Sequence, residues 1–572
     1  MRQKKKRLEK GITLIALVIT IIILLILAGV TITMLTGDNG ILKQATNAKE
    51  ANSKAEFEEQ VKLAVMASKI NDTASINLET LENEINKING TTITKSTDDN
   101  LPWTVKKESY EITITADGTI TTNTTGKDDD KKDEVFASDG SWNGVVNSPK
   151  LVSGMTGVYW DENGNEIKVT NENKDKWYDY ENQKWANAVT KDGSYWVWIP
   201  RYEYSIETAT KTINIKFIKT TQIDADSDYT YVHPAFRNGT ATHFMNGEWD
   251  SEIPGFWVAK YSAGFQQCSQ TLNSNGTATE PTTDVSKVVY SNSSYTSFNS
   301  DYKTNALNQI LTADGKEKLS YPVFKPLTYA YNNISVGDSY TISQEIDSAT
   351  AFYGLSGNSN ASHLMKNSEW GAVAYLTQSS CGRSRTEVTI NSKNLNNLNS
   401  KHIYAVTGYA ENIALGVSAS STNNISGVFD LNGCVWERVA GYITNGNPSL
   451  STYGSSFVNT TANPEGYKTL STKYATVYPY NSTSDTYSNN WTKYNKLKTA
   501  TYGYGDAILE TSTGVSSSAS WNSDYSYFVN SSSPFFRRGG FCGNSSGAGI
   551  FAFSYRDGSP DYYHGFRACL VF

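Results

Sequence analysis

The sequence predicts an α+β protein in which a membrane-spanning helix leads into a small antiparallel sheet and then into a large domain with little regular structure. Three observations predict this. Residues 11–35 form an uncharged, apolar run behind a basic leader; apolar residues then recur at helical and later at alternating spacing; and the remaining chain is rich in Trp, Tyr and Gly. With 572 residues the chain is too long for one compact core, so two or three domains are expected.

The apolar run is long enough to cross a bilayer, which takes ~20 apolar residues. The lysines and arginines ahead of it stay in the cytoplasm under the positive-inside rule, which places the rest of the chain outside. A secretory signal peptide is the competing interpretation, but its apolar core has only ~7–15 residues and ends at a small-residue cleavage site. The sequence therefore predicts a single-pass cell-membrane protein with a transmembrane helix over residues 12–36 and an extracellular carboxyl-terminal domain.

The junction KGITLI at residues 10–15 resembles the type IV prepilin motif. The resemblance implies that a prepilin peptidase removes residues 1–11 by cutting after Gly11 and methylates the new amino terminus at Ile12. It also implies the membrane lipid, that peptidase and other pilin-like subunits of a surface pilus as partners. Prepilins usually carry a glutamate five residues after the cut, where this chain has Ala16, so a plain uncleaved anchor stays the alternative.

The composition excludes several classes of function. The net charge is -7 despite the basic leader, and a nucleic-acid partner would need a concentrated basic patch. The five cysteines show no C-x-x-C spacing and cannot all pair, and the five histidines are scattered. The sequence accordingly predicts no metal site and no cofactor.

Residues 37–125 show the pattern of a helix followed by a small sheet. Apolar residues at helical spacing predict a helix continuing to about Ile70 and a second, shorter helix near residues 78–88. Residues 103–105, 110–114 and 118–120 then alternate apolar and polar side chains, which predicts antiparallel strands. A long helix feeding such a sheet resembles the head of a pilin.

A charged segment separates this region from the large domain. Residues 126–134 contain no apolar side chain, so residues 126–140 are predicted to be a linker and residues 141–572 the ectodomain. Two polar tracts, Ser269 to Ser300 and Thr469 to Ser533, are predicted to be surface insertions.

Five segments of the large domain resemble, in the same order, the motifs of the formylglycine-generating-enzyme family. They are WVWIPR at 196–201, IPGFWVAKY at 253–261, KNSEWGAVAY at 366–375, GVFDLNGCVWE at 427–437, and the terminal pair RGG at 538–540 and GFRA at 565–568. The resemblance covers residues 195–572 and implies a C-type-lectin-like fold. Trp370 and Trp436 are predicted to be core anchors, because indole rings supply large buried area.

The acidic residues of these motifs are predicted to hold the scaffold together. Asp430 and Glu437 are expected to accept backbone hydrogen bonds or to pair with Arg438 or Arg567, rather than to act as an acid/base pair.

The catalytic residues of the family have no counterparts here. Its sulfatase-activating members use two closely spaced cysteines after the R-G-G element, where this chain has only Cys542. The iron-dependent relatives need H-x-x-x-H-x-E, and His363 lacks those companions. The sequence predicts a non-enzymatic protein with no catalytic residue. A formylglycine-generating-type oxidoreductase acting on extracellular protein cysteines and a structural pilin-like subunit stay as alternatives.

The tail over residues 538–567 resembles the variable proteins of diversity-generating retroelements, in which adenines of Asn-type codons are mutated. Such mutation cannot produce Trp, Gln, Glu, Lys or Met. None of these five occurs in the three residue clusters of this tail, 541–543, 554–557 and 561–564. The resemblance implies a ligand-binding tail for adhesion or recognition, with an unknown extracellular partner that is a protein, a glycan or a phage component. The predicted contact residues, at least half of which should be exposed, are Phe541, Ser554, Tyr555, Arg556, Asp557, Asp561, Tyr562, Tyr563 and His564.

Overall fold

The computed structural model divides the chain into two compact units, residues 1–133 and 134–572. The division falls inside the segment predicted to be a linker, and the finer domain boundaries stay predictions. The residues that the structure describes are 56–69, 76–96, 100–107, 110–116, 118–124, 136–239, 249–269, 321–332, 334–355, 361–392, 405–410, 413–414, 416–458, 473–478, 486–497, 504–561 and 563–572.

The first unit packs helices against one four-stranded antiparallel sheet. Residues 56–68 are helical, and helix α1 (Leu78–Asn86) begins at Asn77, whose side chain accepts from the Thr80 amide at 2.9 Å. The strands follow in chain order: β1 (Thr91–Thr94), β2 (Trp103–Lys107), β3 (Tyr110–Ile114) and β4 (Ile120–Thr124). Alternate residues of β2 and β3 are buried, as their period-two pattern predicts, and they cover the apolar faces of the helices.

The structure contradicts the predicted membrane anchor, and with it the transmembrane fold class and the single-pass cell-membrane localisation. No helix among the described residues is long and apolar enough to cross a bilayer. The longest described helix of the second unit has 12 residues, or ~18 Å at 1.5 Å per residue, against a hydrocarbon core of ~30 Å. The predicted spanning segment 12–36 and the predicted processing residues Gly11 and Ile12 lie outside the described residues.

The second unit is rich in sheet. Its largest described sheet has seven strands: β5 (Met155–Trp160), β6 (Glu166–Lys168), β7 (Asn187–Thr190), β8 (Tyr195–Pro200), β12 (Gly255–Ala259), β15 (Ser362–Leu364) and β23 (Ala568–Leu570). Their order in the sheet is β15-β23-β12-β8-β7-β5-β6. The central strands read as continuous apolar runs because both of their faces are buried.

Smaller sheets surround this one. Strands β9 (Tyr202–Glu207), β10 (Thr212–Phe217) and β11 (Tyr231–Val232) form a three-stranded sheet. Two further described pairs are β13 (Gly264–Ser269) with β14 (Thr328–Ala330), and β16 (Tyr409–Ala410) with β17 (Ile413–Ala414).

A five-stranded sheet near the carboxyl terminus carries the candidate site. It consists of β18 (Trp436–Ile443), β19 (Thr476–Tyr478), β20 (Phe535–Gly539), β21 (Gly549–Arg556) and β22 (His564–Phe566). Strand β20 lies between β18 and β21 and is antiparallel to both. Strands β19 and β22 both run parallel to β18, β22 along its beginning and β19 along its end.

The described part of this unit has five short α-helices: α2 (Val336–Gln344), α3 (Thr350–Tyr353), α4 (Asn367–Gln378), α5 (Pro448–Gly454) and α6 (Tyr487–Leu497). Every residue of α4 is buried, and the Trp370 indole nitrogen donates to the Ile550 carbonyl at 2.7 Å. Trp370 is therefore a core anchor, as predicted.

The prediction that residues 469–533 form a surface insertion is wrong for much of the tract. Tyr478, Tyr494 and Phe528 are buried and their rings pack against one another. The polar composition misled the prediction, because tyrosine rings can fill a core while their hydroxyls find hydrogen-bond partners. Of the other predicted insertion, residues 270–300 lie outside the described residues.

Two family-like motifs meet in the core of this unit. Arg567 makes a two-pronged ion pair with Glu437, at 2.9 Å from Nε and 2.6 Å from Nη2, and neither side chain is exposed. Asp430 accepts from the backbone amides of Gly408 and Ser262. The predicted structural roles of both carboxylates are confirmed.

Candidate functional site

A cavity of about 640 Å³ lies beside the five-stranded sheet. This volume is within the range of small-molecule ligand pockets, ~300–1,000 Å³. Six of the nine residues predicted to contact a ligand line it: Phe541, Ser554, Tyr555, Arg556, Asp561 and Tyr563. The structure therefore brings most of the predicted patch together around one concavity.

The other three predicted residues do not line the cavity. Asp557 is half-buried and accepts from the Ser559 amide and hydroxyl, so it shapes the turn after β21. His564 is buried at the start of β22, and Tyr562 lies outside the described residues. The expectation that at least half of the set is exposed is wrong, since Arg556 is the only exposed member among the eight described residues and the others are half-buried or buried. The predicted patch is concave, which lowers the exposure of its members.

Sequence reasoning missed five further lining residues: Trp436, Tyr525, Tyr527, Arg537 and Asn544. Trp436 was predicted only as a core anchor; it is buried, yet its ring forms part of the wall. Tyr525 and Tyr527 flank Ser526, which bridges Phe553 of β21 in parallel and so aligns both tyrosines with the cavity. Their alternating Tyr-Ser-Tyr pattern was the available signal, but it fell within the tract predicted to be an insertion.

Strand pairing fixes the polar floor of the cavity. Arg537 on β20 lies directly opposite Arg438 on β18 and opposite Ser554 on β21. Arg438 is buried and donates to the Ser559 carbonyl, whereas Arg537 lines the cavity. Two arginines therefore face each other across neighbouring strands, an arrangement that like-charge repulsion disfavours.

Aromatic rings form the walls. The rings of Phe541 and Tyr563 are 4.2 Å apart between centroids. Tyr555 stacks on Tyr487 at 5.9 Å and meets Tyr527 edge-on at 6.2 Å. Mutual ring packing of this kind holds aromatic side chains in place and preorganises flat contact surfaces for a ligand.

Of the two arginines that line the cavity, Arg556 has an acidic partner, whereas Arg537 contacts a neutral histidine. Arg556 forms an ion pair with Asp561 at 2.5 Å. Burial and the nearby Arg556 charge lower the pKa of Arg537 to about 9, which still leaves it protonated at neutral pH. Burial, together with the charges of Arg537 and Arg438, lowers the pKa of His564 well below its usual value, so this ring is neutral and its Nε2 can accept from Arg537 at 2.6 Å.

A second polar cluster lies elsewhere in the unit. His363, Glu369 and Cys569 place their ligand-type atoms within 4.8 Å of one another, and all three are buried. No sequence pattern predicts this cluster, because its members come from β15, α4 and β23. His363 Nε2 and Glu369 Oε1 are 2.7 Å apart, a hydrogen-bond distance, whereas two ligands of one tetrahedral zinc ion lie ~3.3 Å apart. Glu369 also accepts from the Lys366 amide at 2.9 Å. His363 and Glu369 are thus hydrogen-bonded to each other, and Glu369 is also bonded to the backbone.

Two cysteines of the unit are also neighbours. The Cys542 amide donates to the Cys434 carbonyl at 3.1 Å, and both side chains belong to one small apolar cluster. Burial raises the pKa of the Cys542 thiol to about 12 and that of Cys434 well above its usual value. Reactive and metal-binding cysteines need the opposite shift, towards the thiolate.

Comparison with protein-family models and with curated proteins finds no match for this chain.

Proposed function

We propose that the chain is a recognition protein, not an enzyme, whose second unit binds a ligand in the cavity beside the five-stranded sheet. The observation that carries this proposal is the gathering of six of the predicted contact residues around one concavity, together with aromatic residues from distant parts of the chain. Rigid aromatic rings next to a few charged groups are the composition of interface hot spots.

The tail also separates into two parts, as a variable binding site would. Residues 550–553 of β21 are buried and pack in the core, whereas the next three residues of the strand reach the cavity. Substitutions at the lining positions would leave the core intact, because they change the wall of a cavity. This supports the proposal that the tail is a diversified site of the kind carried by variable proteins of diversity-generating retroelements.

The enzyme alternative has less support. A formylglycine-generating-type oxidation needs cysteine thiolates, and the raised pKa of Cys542 and Cys434 favours the protonated thiols. We therefore propose no catalytic role for this pair.

Sequencing the coding region of residues 538–567 in closely related strains tests diversification. We expect substitutions at Phe541, Tyr555, Arg556, Asp561 and Tyr563 and none in the buried stretch 549–553. An even scatter of substitutions, or an invariant tail, would refute the diversified site.

Binding is tested with the full chain on printed arrays of glycans and of purified extracellular proteins. A triple variant, Tyr555→Ala/Arg556→Ala/Tyr563→Ala, should lose the signals that the wild type gives. Arg385→Ala is the matched control, because Arg385 is an exposed arginine that does not line the cavity. Signals that survive the triple variant would show that the cavity is not the binding site.

A further inference from the structure

Arg537 is the one guanidinium of the cavity that has no acid partner among the described residues. Its Nη2 donates to the Ser554 hydroxyl at 3.3 Å, its Nη1 contacts the His564 ring nitrogen at 2.6 Å, and its Nε is buried without a hydrogen-bond partner. No carboxylate of the described chain forms an ion pair with it, whereas Arg556 has Asp561. A partly buried cation without a counter-ion is costly unless a ligand supplies one.

The surroundings of Arg537 increase the cost of leaving its charge without a counter-ion. Arg438 lies directly opposite it on the neighbouring strand, and Arg556 and Asp561 line the same cavity, so the lining carries more positive than negative charge. The guanidinium also lies over the Trp436 ring, 4.4 Å from its centroid, which fixes its plane. A planar guanidinium held in one orientation is suited to bidentate recognition of a carboxylate.

The rest of the lining favours a sugar as the carrier of that carboxylate. The faces of Tyr525, Tyr527 and Tyr555 are flat apolar surfaces, and their hydroxyls, the Asn544 amide and the Asp561 carboxylate are hydrogen-bonding groups set among them. A saccharide offers the complementary mixture, with apolar C–H faces and many hydroxyl groups. An acidic peptide would also supply a carboxylate for Arg537, but it would match the mixture of flat apolar faces and hydrogen-bonding groups less fully.

We propose that the cavity binds an acidic saccharide whose carboxylate pairs with Arg537 and whose ring packs against the faces of Tyr525, Tyr527 and Tyr555. This inference rests on the proposed function and goes beyond it by assigning the ligand class and the residue that selects it. Arg537 lies before the variable tail, on a strand paired on both edges, so the anion contact would stay constant while the lining around it varies.

The test uses the full chain with oligosaccharides that contain glucuronic, galacturonic or sialic acid, each compared with its carboxyl-reduced counterpart. Reduction converts the carboxylate into a neutral hydroxymethyl group and changes little else. We expect at least one acidic probe to bind the wild type at least tenfold more tightly than its reduced form, and added salt to weaken that preference.

Arg537→Gln should abolish the preference, whereas Arg385→Ala should leave it unchanged. Arg537→Lys, which keeps the charge, should retain part of it even though the bidentate geometry is lost. Thermal unfolding of the wild type alone supplies a second measurement, in which the acidic probe should raise the melting temperature more than the same concentration of its reduced form.

Equal affinity for acidic and reduced probes, no binding of any acidic probe, or a preference that survives Arg537→Gln would overturn the inference. Binding of a neutral glycan or an acidic peptide that depends on Tyr555 and Tyr563 would also overturn it while supporting the proposed function. The two proposals therefore fail separately.

Discussion

The buried ion pair between Glu437 and Arg567 should be among the most sensitive points of the second unit. Both side chains are fully buried, and Arg567 also donates to the carbonyls of Ala259 and Phe429 at 2.6 and 2.7 Å. Burial alone would lower the pKa of Arg567, but the charge and hydrogen bonds of Glu437 outweigh it and raise that pKa. The guanidinium therefore links strand β18, strand β12 and the segment before β23.

Arg567→Met removes all these contacts and leaves the Glu437 carboxylate buried without a counter-ion. Breaking a buried pair in this way costs ~3–5 kcal/mol. Each of the two carbonyls that loses its donor adds ~1–3 kcal/mol unless another partner replaces it. We expect the free energy of unfolding to fall by at least ~4 kcal/mol, a large part of the ~5–15 kcal/mol that a domain has.

Denaturant unfolding of the full chain, followed by tryptophan fluorescence, measures this change. All tryptophans except Trp103 lie in residues 134–572, so the signal reports mainly on the second unit. A double-mutant cycle with Glu437→Leu should give a double variant less destabilised than the two single changes combined. Arg385→Met, at an exposed site, should change stability by no more than ~0.5 kcal/mol. A loss below ~1 kcal/mol for Arg567→Met, or strict additivity in the cycle, would refute the reasoning.

Two further predictions concern packing and pH. Gly371→Ala should destabilise the second unit by more than ~2 kcal/mol, because the added Cβ would lie 1.9 Å from the Gly505 carbonyl oxygen. Gly514→Ala is the control, because a Cβ there has no atom within 4 Å. Equal denaturation midpoints for the two variants would contradict this prediction. Burial lowers the pKa of His233 from 6.5 to about 3. Below pH 6.5 the unfolded chain therefore binds a proton at this residue that the folded chain does not bind, and stability falls as the pH drops. By pH 5 this group should cost ~2 kcal/mol, and His233→Asn should remove that part of the pH dependence in unfolding titrations; identical pH profiles for wild type and variant would exclude it.

Local patterns predicted those parts of the structure that depend on neighbours in sequence. The alternation at 103–105 and 110–114 predicted strands, and the spacing of Leu78, Leu81 and Ile85 predicted a helix, because burial on one face imposes a period on the sequence. Motif chemistry also predicted a structural role for Glu437, through backbone hydrogen bonds or pairing with an arginine, and the structure shows the pair with Arg567.

Predictions that relied on the composition of a segment were wrong where its location in the fold depends on contacts with distant residues. The tyrosine-rich tract 469–533 looked like a surface insertion, yet Tyr478 and Phe528 pack in the core. The apolar run at 12–36 was the basis for the predicted membrane anchor, which the helices of the described residues contradict. Hydropathy measures what a segment can bury and says nothing about which partner covers it.

The chemistry available to the site can be predicted from the amino-acid sequence alone, as a tail of aromatic and charged clusters separated by small and apolar residues. Which of these residues share one cavity depends on the fold, because strand register places Arg537 beside Ser554 and a bridge at Ser526 brings two tyrosines to the same wall. Register and bridging are set by contacts between residues far apart in the chain, and no local period records them.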